Sequence, residues 1–242
     1  MPICLLVRHG HSSAHGEGVL AGRMAGVHLT DRGLEQAARL AERFAGTVVA
    51  RVVSSPLERC LETARPLAAA VDQAAEVVEG LQECAYGGWT GRPISELAKE
   101  PLWGTVQDDP LSARFPDDDA YATESLAEMG QRVVSAVRSI DAEVAESHGA
   151  AALWVAVTHG DLIKALLADA TGSGLERFQR FTADPASLSA IHYGGRHTFL
   201  LAANDLAPDL ARFRAPSGES PSEDAVVGGG TGGLHGAHGP AD

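Results

Sequence analysis

"LLVRHG", residues 5 to 10, sets three apolar residues directly before an arginine, a histidine and a glycine. Together with Ile3 and Cys4 the run Ile3 to Val7 reads as a short strand buried on both faces, with Arg8-His9-Gly10 placed where that strand must end. The order recurs at Leu153 to Val157, which leads into Thr158-His159-Gly160, and a further apolar run, Val48 to Val53, leads into Ser54-Ser55-Pro56. Segments of helical period separate these runs. Thr30 to Phe44 carries Leu34, Ala37, Ala38, Ala41 and Phe44 at helical spacing, and Asp161 to Ala170 reads as the helix after the His159 junction. Ser55-Pro56-Leu57-Glu58 reads as a helix start running to about Val71, with Ser55 as N-cap, Pro56 in the first turn and Glu58 closing a capping box. A second capping box, Ser125 with Glu128, precedes the stripe Leu126, Met129, Val133, Val137, Ile140 and Val144, about six turns long.

Strands alternating with helices build a three-layer α/β/α domain around a mostly parallel sheet. Ser187 to Tyr193 and Thr198 to Ala202, around Gly194-Gly195, read as a closing hairpin that makes the edge antiparallel. Between Tyr86 and Asp119 the chain is irregular and rich in Gly, Pro and Asp, with one short helical candidate at Ile94 to Glu100, and reads as a cap over a site. From Ala207 the pattern stops. Residues 228 to 239 hold seven glycines, a composition that cannot bury enough apolar area to offset its ordering entropy. The expected division is a catalytic domain over 1–206 and a disordered tail over 207–242, where His235 and His238 make only a weak chelate.

The 242 residues, 45% of them hydrophobic, suffice for one substantial core. With 32 acidic against 19 basic residues and a net charge of −13, the chain is not expected to bind nucleic acid, so any anion site is a local concentration of positive charge. Cys4, Cys60 and Cys84 are too few and too scattered for a disulfide framework or a zinc cluster, and read as buried reduced thiols. No run approaches the ~18 apolar residues of a membrane span, and the N-terminal run is too short for a signal peptide. A cytoplasmic protein with no membrane partner is expected.

In parallel sheets ligands bind beyond the carboxyl ends of the strands, where loops enter the next helices. Applied here, the rule gathers Arg8 and His9, Arg59 one turn past Ser55, and His159 with Gly160 at one edge of the sheet. Two helix N-termini, each with unpaired N–H groups and partial positive charge, point to the same place. Arginine forks suit phosphate oxygens, so the edge reads as a phosphate pocket. An imidazole at its floor points to nucleophilic attack on phosphorus, and neighbouring arginines keep that imidazole neutral. The leaving group needs a proton donor, and Glu83 in "LQECAYGGW" is the candidate, kept protonated by partial burial.

Four motifs in order, "LLVRHG", "SSPLERCLETA", "LQECAYGGWTG" and "VAVTHGDLIKAL", resemble the histidine phosphatase superfamily, the phosphoglycerate-mutase-like proteins, over roughly residues 1 to 203. The resemblance implies that His9 is the nucleophile, that Arg8, Arg59 and His159 bind the transferring phosphoryl group, and that Glu83 is the acid that later activates water. It implies no metal and no organic cofactor. "YGGWTGRPISEL" and "VTHGDLIKALLADATG" are most similar to actinobacterial phosphatase-like members. Mutases of the family carry paired arginines in an insertion after the acid; here Tyr86 to Tyr121 holds only Arg92 and Arg114 and is rich in acids, so water is the expected acceptor and a small-molecule phosphate ester the expected substrate. The sequence departs from the family's pattern at three histidines. His11 replaces the usual Glu, Gln or Lys; His15 stands where an Asn helps hold phosphate and is expected to donate to it; His28 replaces an Asp. Gly10 is expected to let the backbone turn close to phosphate; Trp89 and Trp103 are candidates for shaping the leaving-group pocket, although plain packing is the commoner role of a Trp in an irregular loop.

Overall fold

The computed structural model describes residues 2–206. The expected tail, 207–242, lies outside the described residues. In chain order the elements are β1 (Ile3–Arg8), α1 (Ser13–Glu17), α2 (Asp31–Phe44), β2 (Arg51–Ser54), α3 (Glu58–Ala70), β3 (Ala75–Val77), α4 (Ile94–Leu97), α5 (Pro101–Asp108), α6 (Leu126–His148), β4 (Leu153–Thr158), α7 (Gly160–Ala170), β5 (Leu188–Tyr193) and β6 (Thr198–Asp205). The strands form one sheet in the order β3-β2-β4-β1-β5-β6. β3, β2, β4 and β1 run parallel, and β5 and β6 pair antiparallel at the other edge, as the sequence pattern predicts.

Strand alternation divides the apolar residues between two helical layers. Ile3, Leu5 and Val7 face a core shared with Leu40 and Phe44 of α2 and Leu67 of α3. Cys4 and Leu6 face the other core, with Met129 and Val133 of α6 and Leu166 of α7. Every residue of the predicted α6 stripe is buried. Its start is built as the sequence implies: Ser125 Oγ accepts from Glu128 N at 3.1 Å while Glu128 accepts from Ser125 N at 2.7 Å. The three cysteines are buried and unpaired.

Four local expectations are corrected. In α2 the buried face is Gly33, Ala37, Leu40, Ala41 and Phe44, while Leu34 and Ala38 face solvent, because Gly33 packs against the His11 backbone, where a side chain would not fit, and so sets the inward line of the helix. The β-branched run at Val48 is not a strand start: Val48 is 89% exposed, and ladder pairing begins only at Arg51 opposite Trp154. Ser55 does not cap α3. The N-cap is Leu57, because the Ser55 hydroxyl is taken by His159 Nε2 at 2.8 Å, and Glu58 turns away to accept from Gly26 N at 3.0 Å. In the cap segment the helix at Ile94 ends at Leu97, and an unforeseen second helix, α5, starts with Pro101 in its first turn.

Candidate active site

β1 and β4 are adjacent and in register, Arg8 opposite Thr158, so His9 and His159 leave the sheet side by side. Their ring centroids are 5.2 Å apart. Arg59, in the first turn of α3, reaches between them and is 1% exposed. Its Nε donates toward His9 Nε2 at 3.3 Å, and its Nη2 lies 3.2 Å from His159 Nδ1 and 2.8 Å from the Gly22 carbonyl. The pairing with Glu58 or Glu62 that a solvated helical arginine would adopt does not occur.

His9 has one assigned tautomer. Its Nδ1 is 2.8 Å from the Gly10 carbonyl, which can only accept, so Nδ1 carries the proton and Nε2 is left unprotonated, its lone pair facing Arg59 Nε. Burial, then the charges of Arg59 and Arg8, hold its pKa well below the ordinary imidazole value. His159 is depressed for the same reasons, burial first and Arg59 next. Its Nδ1 faces Arg59 Nη2, which can only donate, so in this arrangement Nδ1 accepts and Nε2 carries the proton, donated to the Ser55 hydroxyl at 2.8 Å.

Arg8 spans the mouth of the site. Nη1 donates to the Ala183 carbonyl at 2.6 Å and Nη2 to His15 Nε2 at 2.8 Å. A Cβ on Gly160 would lie 3.3 Å from the guanidinium, so this glycine lets Arg8 lie flat against the start of α7. Two buried donors, Arg8 Nε and Arg59 Nη1, have no partner among the described residues. Buried donors are rarely left unmatched, and here both belong to cations around one cavity.

That cavity, about 210 Å³, is lined by Arg8, His9, His15, Arg59 and Glu83 on its polar side and by Val19, Leu20, Tyr86 and Ile94 on the other. Glu83 comes within 3.8 Å of His159 Nδ1. Burial, then the charge of Asp161, lifts its pKa to about 7, which makes it an acid and a base within one neutral-pH cycle. Asp161 itself stays low. Burial would raise it, but Lys164 at 2.8 Å and the Tyr86 hydroxyl at 2.8 Å favour its charged form. Sequence reasoning missed Asp161, whose charge raises Glu83, and the two groups that hold it, Tyr86 and Lys164; the available signal was Asp161 directly following His159-Gly160.

His15 lines the cavity, where it accepts from Arg8, and burial, then Arg8, lowers its pKa to about 4. The His11 ring lies tilted beside that of His15, centroids 5.2 Å apart, and bonds Thr30 Oγ1 at 3.0 Å, whereas His28 pairs with Glu62 at 2.6 Å away from the cavity. Among the described residues, no group of three or more His, Cys, Asp or Glu is arranged to hold a metal. Gly10 is small for a packing reason as well. A Cβ there would stand 2.8 Å from the Gly33 carbonyl, so the residue is small in order to admit the first turn of α2. Trp89 and Trp103 take the packing role: they stack on each other at 6.1 Å in the cap's core, Trp89 donating to Glu100 at 2.8 Å, and neither lines the cavity.

The family model of the histidine phosphatase superfamily (branch 1) matches residues 4–206. A Hydrogenobacter thermophilus protein named "Putative phosphoserine phosphatase 2" is 30% identical over 83% of this chain and 94% of its own length. A 2,3-bisphosphoglycerate-dependent phosphoglycerate mutase of Thermoplasma acidophilum is 26% identical over 79% of this chain and 87% of its own. The fold is that of Bacillus stearothermophilus YhfR, with a TM-score of 0.75 at 24% identity, covering 86% of this chain and 99% of that one. A paired Arg-His-Gly and His-Gly on adjacent strands, a buried arginine between them and a match that spans the whole described sheet agree: the chain belongs to the histidine phosphatase superfamily, branch 1.

Proposed function

We propose that the protein is a phosphomonoesterase that hydrolyses small-molecule phosphate esters through a phosphohistidine on His9. One observation carries this reading: the unprotonated Nε2 of His9 shares a cavity with Glu83, whose pKa is about 7, and with buried guanidinium donors that lack partners among the described residues. In the first half-reaction His9 Nε2 attacks phosphorus in line, the bond to the alcohol oxygen breaks, and the Glu83 proton passes to that oxygen. In the second, water attacks phosphorus, its proton goes to the Glu83 carboxylate, and the P–Nε2 bond breaks to release phosphate. Arg8, Arg59, His159 and the amide of Gly160 hold the non-transferring oxygens, with His15 as a further contact. Bonds and protons balance on His9, Glu83 and water, so the cycle calls for neither metal nor organic cofactor.

Water as the acceptor is supported by the two arginines of the cap. Arg92 is paired with Glu100 at 2.7 Å and Arg114 with Glu128 at 2.8 Å, so neither is held ready for the carboxylate or second phosphate of a mutase substrate. The named phosphoserine phosphatase relative supports the same choice, and the mutase relative defines the rival. The reading assigns catalysis to residues 1–206, and the buried unpaired cysteines suit a cytoplasmic setting. The test is a panel of phosphate esters assayed in EDTA with parent and His9→Ala side by side, and with labelled ester to trap the intermediate. Loss of turnover in His9→Ala and an acid-labile, base-stable label on the parent are expected. Undiminished turnover in His9→Ala overturns the mechanism. Turnover that appears only with a bisphosphorylated primer favours the mutase, and phosphate binding with neither label nor turnover favours a non-catalytic binding module.

A further inference from the structure

Glu83 lies in a loop, yet its proton must be delivered to one oxygen of a phosphate held by residues from other elements. The main chain around it is gripped by two arginines. Arg132, on α6, donates from Nη1 to the carbonyls of Gly80 and Gln82, both at 2.9 Å. Arg23, from the loop between α1 and α2, donates from Nε to the carbonyl of Glu83 itself at 2.7 Å. Both guanidiniums converge on the Glu124 carboxylate: Oε1 accepts from Arg23 Nη2 at 3.0 Å, from Arg132 Nη2 at 2.6 Å and from the Ala85 amide at 3.0 Å. Charge-assisted bonds shared on one carboxylate hold a short stretch of backbone in a single geometry.

Arg132 belongs to the rigid frame, whereas Arg23 comes from the opposite wall of the cavity. The residue before it, Gly22, offers its carbonyl to Arg59 Nη2 at 2.8 Å. Gly22 has φ +50°, and a Cβ there would lie 3.0 Å from Thr90 Oγ1, so this turn is tightly seated. Two consecutive residues therefore tie the central phosphate-clamping arginine to the acid, one by its carbonyl and the next by its side chain.

We propose that Arg23 is a positioning residue that sets the separation between phosphate held on Arg59 and the proton donor Glu83. The proposal rests on the reading of Glu83 as the acid. It differs from a purely structural role in one measurable way. An alkyl alcohol leaves only with a proton, whereas p-nitrophenolate leaves without one, and kcat/KM reports the step in which the ester bond breaks.

The experiment compares kcat/KM for an alkyl ester, glycerol 3-phosphate, with that for p-nitrophenyl phosphate in the parent, Arg23→Ala, Arg23→Lys and Glu83→Gln. In Arg23→Ala the alkyl value is expected to fall about tenfold or more, the scale of small misplacements of a reacting group, and the aryl value to stay within about twofold. Arg23→Lys, which can still reach the Glu83 carbonyl, is expected to recover part of the alkyl activity. Equal losses on both esters, or no loss at all, in a variant with the parent's Tm overturns the proposal. If Arg23→Ala fails to fold, Glu124→Gln, which keeps the shared acceptor oxygen without its charge, is held to the same criterion. Glu83→Gln separates the two levels: without an alkyl-selective loss there, the acid assignment itself fails, and with that loss but none in Arg23→Ala, only the positioning role fails.

Discussion

The Nε of Arg59 lies 3.3 Å from the Nε2 of His9, a cation held against the atom that must attack phosphorus. Without an anion this contact is costly, since Arg59 is buried and its Nη1 has no partner among the described residues. In the proposed complex phosphate oxygens would supply the acceptors this guanidinium lacks, and its charge would keep the imidazole beside it unprotonated.

Arg59→Met is therefore expected to fold as stably as the parent in phosphate-free buffer, or more so, while kcat/KM falls on the order of 10²- to 10³-fold. Inorganic phosphate should raise the Tm of the parent by mass action, about 2.7 kcal/mol at a hundredfold excess over Kd, and leave the variant unmoved. Thermal melts with and without phosphate check both halves. A variant that keeps its phosphate-dependent rise would contradict the clamp.

Glu83 sets a pH limb. Its pKa in the folded chain is about 7 against 4.5 for an ordinary glutamate, so kcat/KM for an alkyl ester should fall as pH rises through about 7. The limb should vanish in Glu83→Gln, along with most of the rate. The stability consequence has a definite sign. The folded state binds the extra proton between pH 4.5 and 7, so the parent loses stability across that window and carries the whole cost above it. Urea titrations should show Glu83→Gln gaining at pH 8 relative to pH 4, by about 3 kcal/mol at most.

At His15 the expected effect is on affinity. Its Nε2 anchors Arg8 Nη2 at 2.8 Å, and with a pKa near 4 it is neutral throughout the working range. His15→Ala is expected to weaken inhibition by inorganic phosphate roughly threefold to tenfold, the net value of one typical hydrogen bond. His15→Asn, which can accept from Arg8 and donate to phosphate at once, should restore it. Parent-like phosphate affinity in His15→Ala removes the residue from the site.

Far from the cavity, Asp141 is buried under the sheet, with Oδ1 accepting from Trp154 Nε1 at 2.8 Å and Oδ2 unpartnered among the described residues. Burial lifts its pKa from 3.8 to about 6, so its ionisation costs stability between those values and the cost is complete above pH 6. Asp141→Asn keeps the acceptor for Trp154 and should stabilise the protein by about 2 kcal/mol at pH 7.5, with no gain at pH 3.5. Denaturant melts at the two pH values measure the difference.

Much of this arrangement is legible in the residues because strand ends are local features. The runs before Arg8-His9 and Thr158-His159 fix two strands, and parallel pairing brings their ends to one edge without any knowledge of the intervening chain. The α6 stripe is equally local, being read from one capping box and one period. What escaped is long-range. The hold of Arg23 on Glu83 spans 60 residues and that of Tyr86 on Asp161 spans 75, and no periodicity encodes either. Ser55 shows the same competition at one residue. Its local pattern favours a helix cap, and His159, 104 positions away, takes the hydroxyl instead. Val48 fails for a simpler reason, since β-propensity needs a neighbouring strand to pair with and none reaches it.

The adjacency of β1 and β4 at the centre of the sheet bears on how the protein would lose activity under stress. His9 and His159 cannot drift apart unless a central ladder of the fold opens, so their geometry should persist until global unfolding. Glu83 is anchored through side chains on a loop and can be released by a smaller, subglobal opening. On gentle heating or in low denaturant the protein should therefore pass through a condition in which it still binds phosphate and can still be phosphorylated by an activated ester, yet no longer turns over an alkyl one.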